Sequence, residues 1–444
     1  MDSLVDLLLG SDIPYITYAV PFFFLLIGVE LVIGWATHRQ LYRLNDSIND
    51  LSCGIIDQVV RIFIEVVLFA GYLYLFANFR LTEMQSWSPA GKWAAAIGLL
   101  FGVDLCFYWF HRIAHEYAAP WATHVVHHQS EEYNLTVALR QSALENCFAW
   151  VFYLPLAVIG FPPLWYAAVK AINLLYQFWV HTDAIGKLGP LEWFLNTPSH
   201  HRVHHARNVK YLDKNYAGMF IIWDRMFGTF QVEEEPPVYG LTRPLHSWNP
   251  LWANLHYWVY LFQLARKAPR WSDKIKVWFM PLGWIPPGVE PPPPFEEVTR
   301  ETQQKYNPRA PWKLALYVVF QFVLVLAASV ALMHFADEGT SRGKLLLPAA
   351  AVVWSLVNLG AMFEKRRWVF ASELVRLVSL ATAAAVYAWG TEAPGTTLSL
   401  ITAWFGLSLA WFIGQRGVLL NPRRSTDNVL ASPRSFDSAA LVRR

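Results

Sequence analysis

The chain is short of charge. Only 16% of its 444 residues are Asp, Glu, Lys or Arg, against about a quarter in a soluble domain. Cysteine is scarce as well. Cys53, Cys106 and Cys147 are widely spaced and lie in or beside apolar segments, which excludes a disulfide framework and the paired spacing of a cysteine zinc site. The formal charge of +3 comes without any basic tract interleaved with base-stacking aromatics, so nucleic acid is excluded as a partner. No Lys or Arg precedes Arg39. The basic start of a cleaved leader is therefore missing, and the first apolar run is expected to stay as a membrane span.

What fills the chain instead is apolar sequence, at 55% hydrophobic and 16% aromatic residues. A span needs about 20 mostly apolar residues. The runs 13–36, 55–79, 93–110, 312–334, 345–363, 369–389 and 396–414 qualify. Residues 147–180 are apolar apart from Lys170, but Gly160, Pro162 and Pro163 interrupt them, which predicts a helical hairpin. The runs 219–230 and 251–264 are too short to cross and are expected in the interface. The expected fold class is all-α, a multi-span membrane protein. Its parts are a membrane-embedded catalytic domain over 1–280, a Pro-rich linker over 281–311, a four-span bundle over 312–414 and a basic tail over 415–444.

Basic residues orient this layout. The tail carries Arg416, Arg423, Arg424, Arg434, Arg443 and Arg444, and the loop Glu364-Lys365-Arg366-Arg367 lies two spans earlier. Counting back from the tail, and forward from the acidic Asp2, Asp6 and Asp12, puts the region after residue 110 and the C-terminus on the cytoplasmic side.

That region holds the histidines. Ten of fourteen fall between His111 and His205, and eight form the clusters HRIAH, HVVHH and HRVHH. Residues three or four apart share a helix face. His111 with His115, then His124, His127 and His128, then His201, His204 and His205 are each expected to present one imidazole face. Three such faces beside a bilayer predict a centre for more than one transition metal. Imidazole suits iron, copper and zinc alike. A bis-histidine haem leaves the adjacent pair His127-His128 unexplained, and a transporter would bury its ligands near the midplane.

HRIAH, HVVHH and HRVHH resemble the histidine boxes of the fatty acid hydroxylase/sterol desaturase superfamily of membrane di-iron enzymes. Residues 115–142, 181–205 and 213–230 look closest to its alkylglycerol monooxygenase branch. The resemblance implies two Fe ions on His111, His115, His124, His127, His128, His201, His204 and His205. It implies O2 and a lipid from the bilayer as substrates, with tetrahydrobiopterin as electron donor. Hydroxylation is expected at the carbon next to the ether oxygen of an alkylglycerol or a lyso ether phospholipid, giving a hemiacetal that breaks down to fatty aldehyde. A sterol desaturase-type or fatty acid or sterol hydroxylase-type oxidase on another lipid is the alternative. The endoplasmic reticulum is expected in a eukaryote, the inner membrane in a bacterium.

Several residues outside the boxes attract attention. His181 follows the hairpin on the same side and is expected as a ninth ligand or its partner. His200 points about 100° from His201 on a helix, away from the ligand face. Glu116 and Asp224 are candidate acids that act on the metals or on their ligands. The polar stretch from Glu131 to Ser142 reads equally as a solvated helix start or a cofactor pocket. Asp104, inside the third span, is expected to pair with Arg61. His38, His246 and His256 read as interface residues. The C-terminal bundle shows no chemistry, and its expected role is a scaffold or homo-oligomer surface.

Overall fold

The computed structural model describes residues 15–389 and 394–421. The basic tail beyond 421 and the acidic start lie outside the described residues. Chain contacts divide the protein into two units, residues 15–245 with 254–305, and residues 246–253 with 306–421.

Among the described residues the structure is helical, with only isolated bridges and no strand. Seven helices are long and apolar enough to cross a membrane. The first unit holds three of them: α1 (Tyr15–Ala36), α2 (Leu44–Phe79) and α3 (Pro89–Glu116). Ser88 caps α3 by accepting from Gly91 N at 3.2 Å, and Pro89 opens its first turn. At 28 residues, α3 is about 42 Å long, more than the roughly 30 Å of hydrocarbon. His111 and His115 lie in its last turns.

After α3 the chain makes α4 (Ala118–His124), a 3-10 turn (Val125–His128) and α5 (Leu135–Ala138). The expected hairpin follows as α6 (Glu145–Ile159) and α7 (Pro163–Trp179). Gly160 turns it with φ of +111°, and a Cβ there would meet Thr82 O at 2.3 Å. With 15 residues, α6 reaches only about 22 Å. The hairpin returns the chain so that His181 joins His127, His201 and His205. Leu99, Val103, Phe110, Tyr153 and Trp165 join α3, α6 and α7 in one apolar core, and Tyr72 Oη donates to Phe161 O at 2.9 Å.

Further on come α8 (Pro198–His204), α9 (Ile222–Phe227), α10 (Pro250–Lys267) and α11 (Trp271–Phe279). Residues 286–305 are not helical, and they are tied to the first unit. Arg300 Nε donates to Pro237 O at 2.8 Å, Gln303 Nε2 to Tyr239 O at 2.8 Å, and Lys305 Nζ to Glu132 at 2.6 Å.

The second unit contains α12 (Trp312–Asp337), α13 (Arg342–Phe363), α14 (Trp368–Trp389), α15 (Pro394–Gly414) and the short α16 (Arg416–Leu420). Sequence reading found nothing polar of note there, but the structure buries Glu373 against Arg376. Glu373 also accepts from Tyr317 Oη at 2.7 Å and Asn358 Nδ2 at 2.9 Å, while Arg376 donates to Gln321 at 2.8 Å. An ion pair in an apolar layer persists only when its remaining hydrogen-bonding capacity is met. This one fastens α12, α13 and α14 together. Glu373→Ala, which strands the Arg376 guanidinium, is expected to cost about 3–5 kcal/mol. Thermal unfolding in detergent checks this, and an unchanged transition would remove the clasp.

Candidate metal centre

Nine histidines converge where α3, α4, α7 and α8 end. His111, His115, His124, His128 and His204 form one group, and His127, His181, His201 and His205 a second. Within each group the ring nitrogens lie within 4.8 Å of one another. All nine side chains are at most 5% exposed. They are the nine that the sequence singled out. His200 joins neither group and lies edge-on to Phe230.

The clusters do not map one to one onto the groups, and here the helix-face expectation is corrected. HVVHH is not one helix: His124 ends α4, and His127 and His128 sit on the 3-10 turn. Neighbouring residues diverge by about 100° on a helix. So His127 and His128 enter different groups, as do His204 and His205. Each of the last two clusters therefore spans both groups and holds them together.

Hydrogen bonds orient the rings. His111 Nδ1 donates to Tyr216 O at 2.7 Å, His127 Nδ1 to Arg140 O at 2.9 Å, His181 Nδ1 to Gln177 O at 2.7 Å and His204 Nδ1 to Lys214 O at 3.0 Å. A carbonyl can only accept, so these four rings carry their proton on Nδ1 and a lone pair on Nε2. His124 Nδ1 faces the Glu145 carboxylate at 3.3 Å with the same consequence.

The Nε2 atoms then meet without a proton between them. His111 Nε2 lies 3.0 Å from His124 Nε2, and His127 Nε2 lies 3.1 Å from His181 Nε2. Two lone pairs that close repel unless a cation sits against both. His204 Nε2 and both nitrogens of His115 are buried without a partner. Burial, joined by the neighbouring His124, pulls His127 down to about 4, and burial takes His204 down to about 3. His128, His181, His201 and His205 are lowered for the same first reason. Neutral imidazole is the form that ligates.

Spacing narrows the geometry. Bonds of about 2.1 Å at right angles put nitrogens about 3.0 Å apart, and at the tetrahedral angle about 3.4 Å. The Nε2 separations of 2.9 Å (His181–His201) and 3.1 Å (His124–His128) lie nearer the right angle, and 3.2 Å (His201–His205) lies midway between the two. Five donors in the first group also exceed a tetrahedron. Buried, neutral imidazoles in two groups fit transition-metal ions.

The fatty acid hydroxylase family profile matches residues 96–229, the stretch that builds both groups. An alkylglycerol monooxygenase of Xenopus tropicalis is 41% identical, covering 80% of this chain and 79% of its own length. The Homo sapiens alkylglycerol monooxygenase is 40% identical over the same shares. The chain belongs to the alkylglycerol monooxygenase family. An ornithine lipid hydroxylase of Rhizobium tropici is 30% identical over 33% of the chain and 45% of that relative. No solved structure matches.

The structure places the remaining candidates of this family member as follows. Asp224 accepts from Tyr216 N and Ala217 N, both at 2.8 Å, and from Thr229 Oγ1 at 2.6 Å. It therefore sets the loop whose Tyr216 carbonyl holds His111. Asp104 corrects the expected Arg61 pairing, since Arg61 binds Asp57 at 3.0 Å. Asp104 instead accepts from Met219 N at 2.6 Å, Phe220 N at 2.9 Å, Trp223 Nε1 at 2.9 Å and Asn173 Nδ2 at 2.6 Å. Glu116 pairs with Arg112 at 2.8 Å, at the edge and not among the imidazoles. The 131–142 stretch is mostly buried, not solvated. Arg140 is buried on Asn49 at 2.6 Å and Asp50 at 3.1 Å, and Thr136 on Asp50 at 2.9 Å. His256, expected at an interface, is buried and lines a cleft with His128, His204 and His205.

Glu145 was missed, because a lone acid opening an apolar run carries no spacing signal. A carboxylate behind a ligating histidine raises its basicity. Glu145→Gln is expected to weaken metal retention about 10- to 100-fold, read by chelator competition. Unchanged retention would make the contact merely structural.

Proposed function

We propose that this protein is a di-iron membrane monooxygenase that hydroxylates the carbon next to the ether oxygen of an alkylglycerol. The facing Nε2 lone pairs carry the metal assignment, and family membership carries the substrate class. Two iron ions held by the nine imidazoles supply the oxygen activation needed to break an unactivated C–H bond. One oxygen atom enters the substrate and the other leaves as water, with two electrons from tetrahydrobiopterin. The product is a hemiacetal, which collapses to a fatty aldehyde and glycerol or its derivative.

The chain's own residues position the partners. Carbonyls of Tyr216, Arg140, Gln177 and Lys214 aim the rings, and the tight burial of those rings keeps bulk water from the reacting carbon. The alkyl chain lies along the apolar helices, each buried methylene contributing about 0.8 kcal/mol. Trp121 and Tyr257 wall the cleft above His128, His204 and His205. We place this face and the C-terminus on the cytoplasmic side, in the endoplasmic reticulum of a eukaryote or the inner membrane of a bacterium. The second unit serves as scaffold or homo-oligomer surface.

Membranes carrying the protein, given tetrahydrobiopterin, O2 and an alkylglycerol, are expected to release fatty aldehyde. Iron-loaded protein that forms none, yet oxidises a sterol or fatty acid, would replace this substrate. Glu116 keeps a place at the edge, because its charge adds to the burial that pushes Asp213 up to about 6. Glu116→Gln is expected to slow turnover several-fold with iron retained. A wild-type rate would remove it.

A further inference from the structure

Between Arg266 and Lys276 the chain carries five basic residues and a single acid, Asp273. Most of that segment belongs to α11, which has two unlike faces. Trp271, Ile275 and Phe279 recur at four-residue steps and so form one stripe. They are 81%, 63% and 65% exposed. At about 100° per residue, Lys274 and Lys276 stand on either side of the stripe, each about 60° from its edge. The opposite face is packed. Asp273 and Val277 are buried there, and Val277 shares an apolar core with Ala118, Trp121 and Ala122 of α4. Trp278 meets Trp258 of α10 at 6.2 Å between ring centroids, and Phe262, one turn beyond Trp258, is exposed as well. The end of α11 is stitched to the end of α3. Ala118 N donates to Met280 O at 3.2 Å, and Leu282 N to Glu116 O at 2.9 Å. Since α3 is long and apolar enough to cross a membrane, its end belongs where hydrocarbon gives way to headgroups.

We propose that α11 lies flat in the headgroup layer on the metal-centre side of the bilayer and docks there on anionic phospholipid. Its three large apolar side chains reach toward the acyl chains, while the lysines beside them extend to headgroup oxygens. Charge selects this occupant. Lys276 stands 3.7 Å from Asp273, and the segment stays strongly basic after that one pairing. An anionic leaflet matches it, each Lys or Arg near such a surface adding to the attraction. A second copy of the chain, meeting this face about a two-fold axis, would bring basic flank against basic flank. The docking also reaches the site. Through Val277, α11 packs on α4, whose last residue is His124 and whose Trp121 walls the cleft. The leaflet thus seats the wall of the metal cleft from outside.

The test places an apolar fluorophore on Ile275→Cys of the full-length protein in lipid nanodiscs. Cys147→Ser removes the exposed native thiol, and the chain without Ile275→Cys serves as blank. Three quenchers are compared: phosphatidylcholine and phosphatidylglycerol, each with a nitroxide on the acyl chain, and acrylamide in the water. Both lipids are expected to quench and acrylamide hardly at all. At equal mole fraction, phosphatidylglycerol should quench about fivefold more than phosphatidylcholine. Lys274→Gln with Lys276→Gln should bring that ratio close to one, as should high salt. Quenching by acrylamide alone would put the helix in water and overturn the proposal. Shielding from all three quenchers would show a protein cover and overturn it too. Equal quenching by the two lipids, or a ratio unmoved in the lysine variant, would remove the anionic preference. A label on Phe279→Cys must give the same readings, so that disturbance at one position does not decide the outcome.

Discussion

His128→Ala and His205→Ala, each made singly, are expected to abolish aldehyde formation and to remove about one of two metal ions while the protein stays in the membrane. The two fall in different groups. Each group gathers ring nitrogens within 4.8 Å of one another, so an alanine removes one donor from the set that would hold a metal. His128 Nε2 is 3.1 Å from His124 Nε2, and His205 Nε2 is 3.2 Å from His201 Nε2. Turnover is expected to need both groups, which His127-His128 and His204-His205 join as neighbours along the chain. The double variant should therefore be no more damaged in turnover than either single one. Elemental analysis per chain, beside an aldehyde assay, checks this. Wild-type turnover in both purified variants would overturn the metal assignment.

The second large effect concerns the two carboxylates beneath the loop at 216–220. Asp224 takes the backbone N–H groups of Tyr216 and Ala217, and Asp104 those of Met219 and Phe220. Gly218, between them, leaves no room, since a Cβ there would stand 2.8 Å from Asp104 Oδ1. The loop so fixed presents the Tyr216 carbonyl to His111. Asp104→Ala leaves buried donors from Met219, Phe220, Trp223 and Asn173 unmet. At about 1–3 kcal/mol for each such group, it should cost about 4 kcal/mol or more. Asp224→Ala strands two N–H groups and the Thr229 hydroxyl, and should cost somewhat less. Both are expected to lose metal from the His111 group before the His201 group. Chemical unfolding in detergent and iron content measure it. Wild-type stability with full iron would show that the loop is held otherwise.

Much of the site was legible because ligating histidines come in clusters that no helix core requires. His181 stood alone, and only the hairpin breaks at Gly160 and Pro162 placed it. Glu145 and the role of Asp104 were not legible. Their partners, His124 and the backbone of Met219 and Phe220, lie 21 and more than a hundred residues away. Burial of the 131–142 stretch was hidden for the same reason. Polar residues read as solvated until Asn49 and Asp50 of α2 are seen against Arg140.

From sequence alone came the membrane class, seven spans, a returning hairpin and nine imidazoles, because apolar run length and local periodicity are properties of neighbouring residues. Tertiary structure decided how those imidazoles divide into five and four and which carbonyls fix their tautomers. Such matters depend on groups distant along the chain, whose encounter is set by packing and by the need of every buried donor for an acceptor.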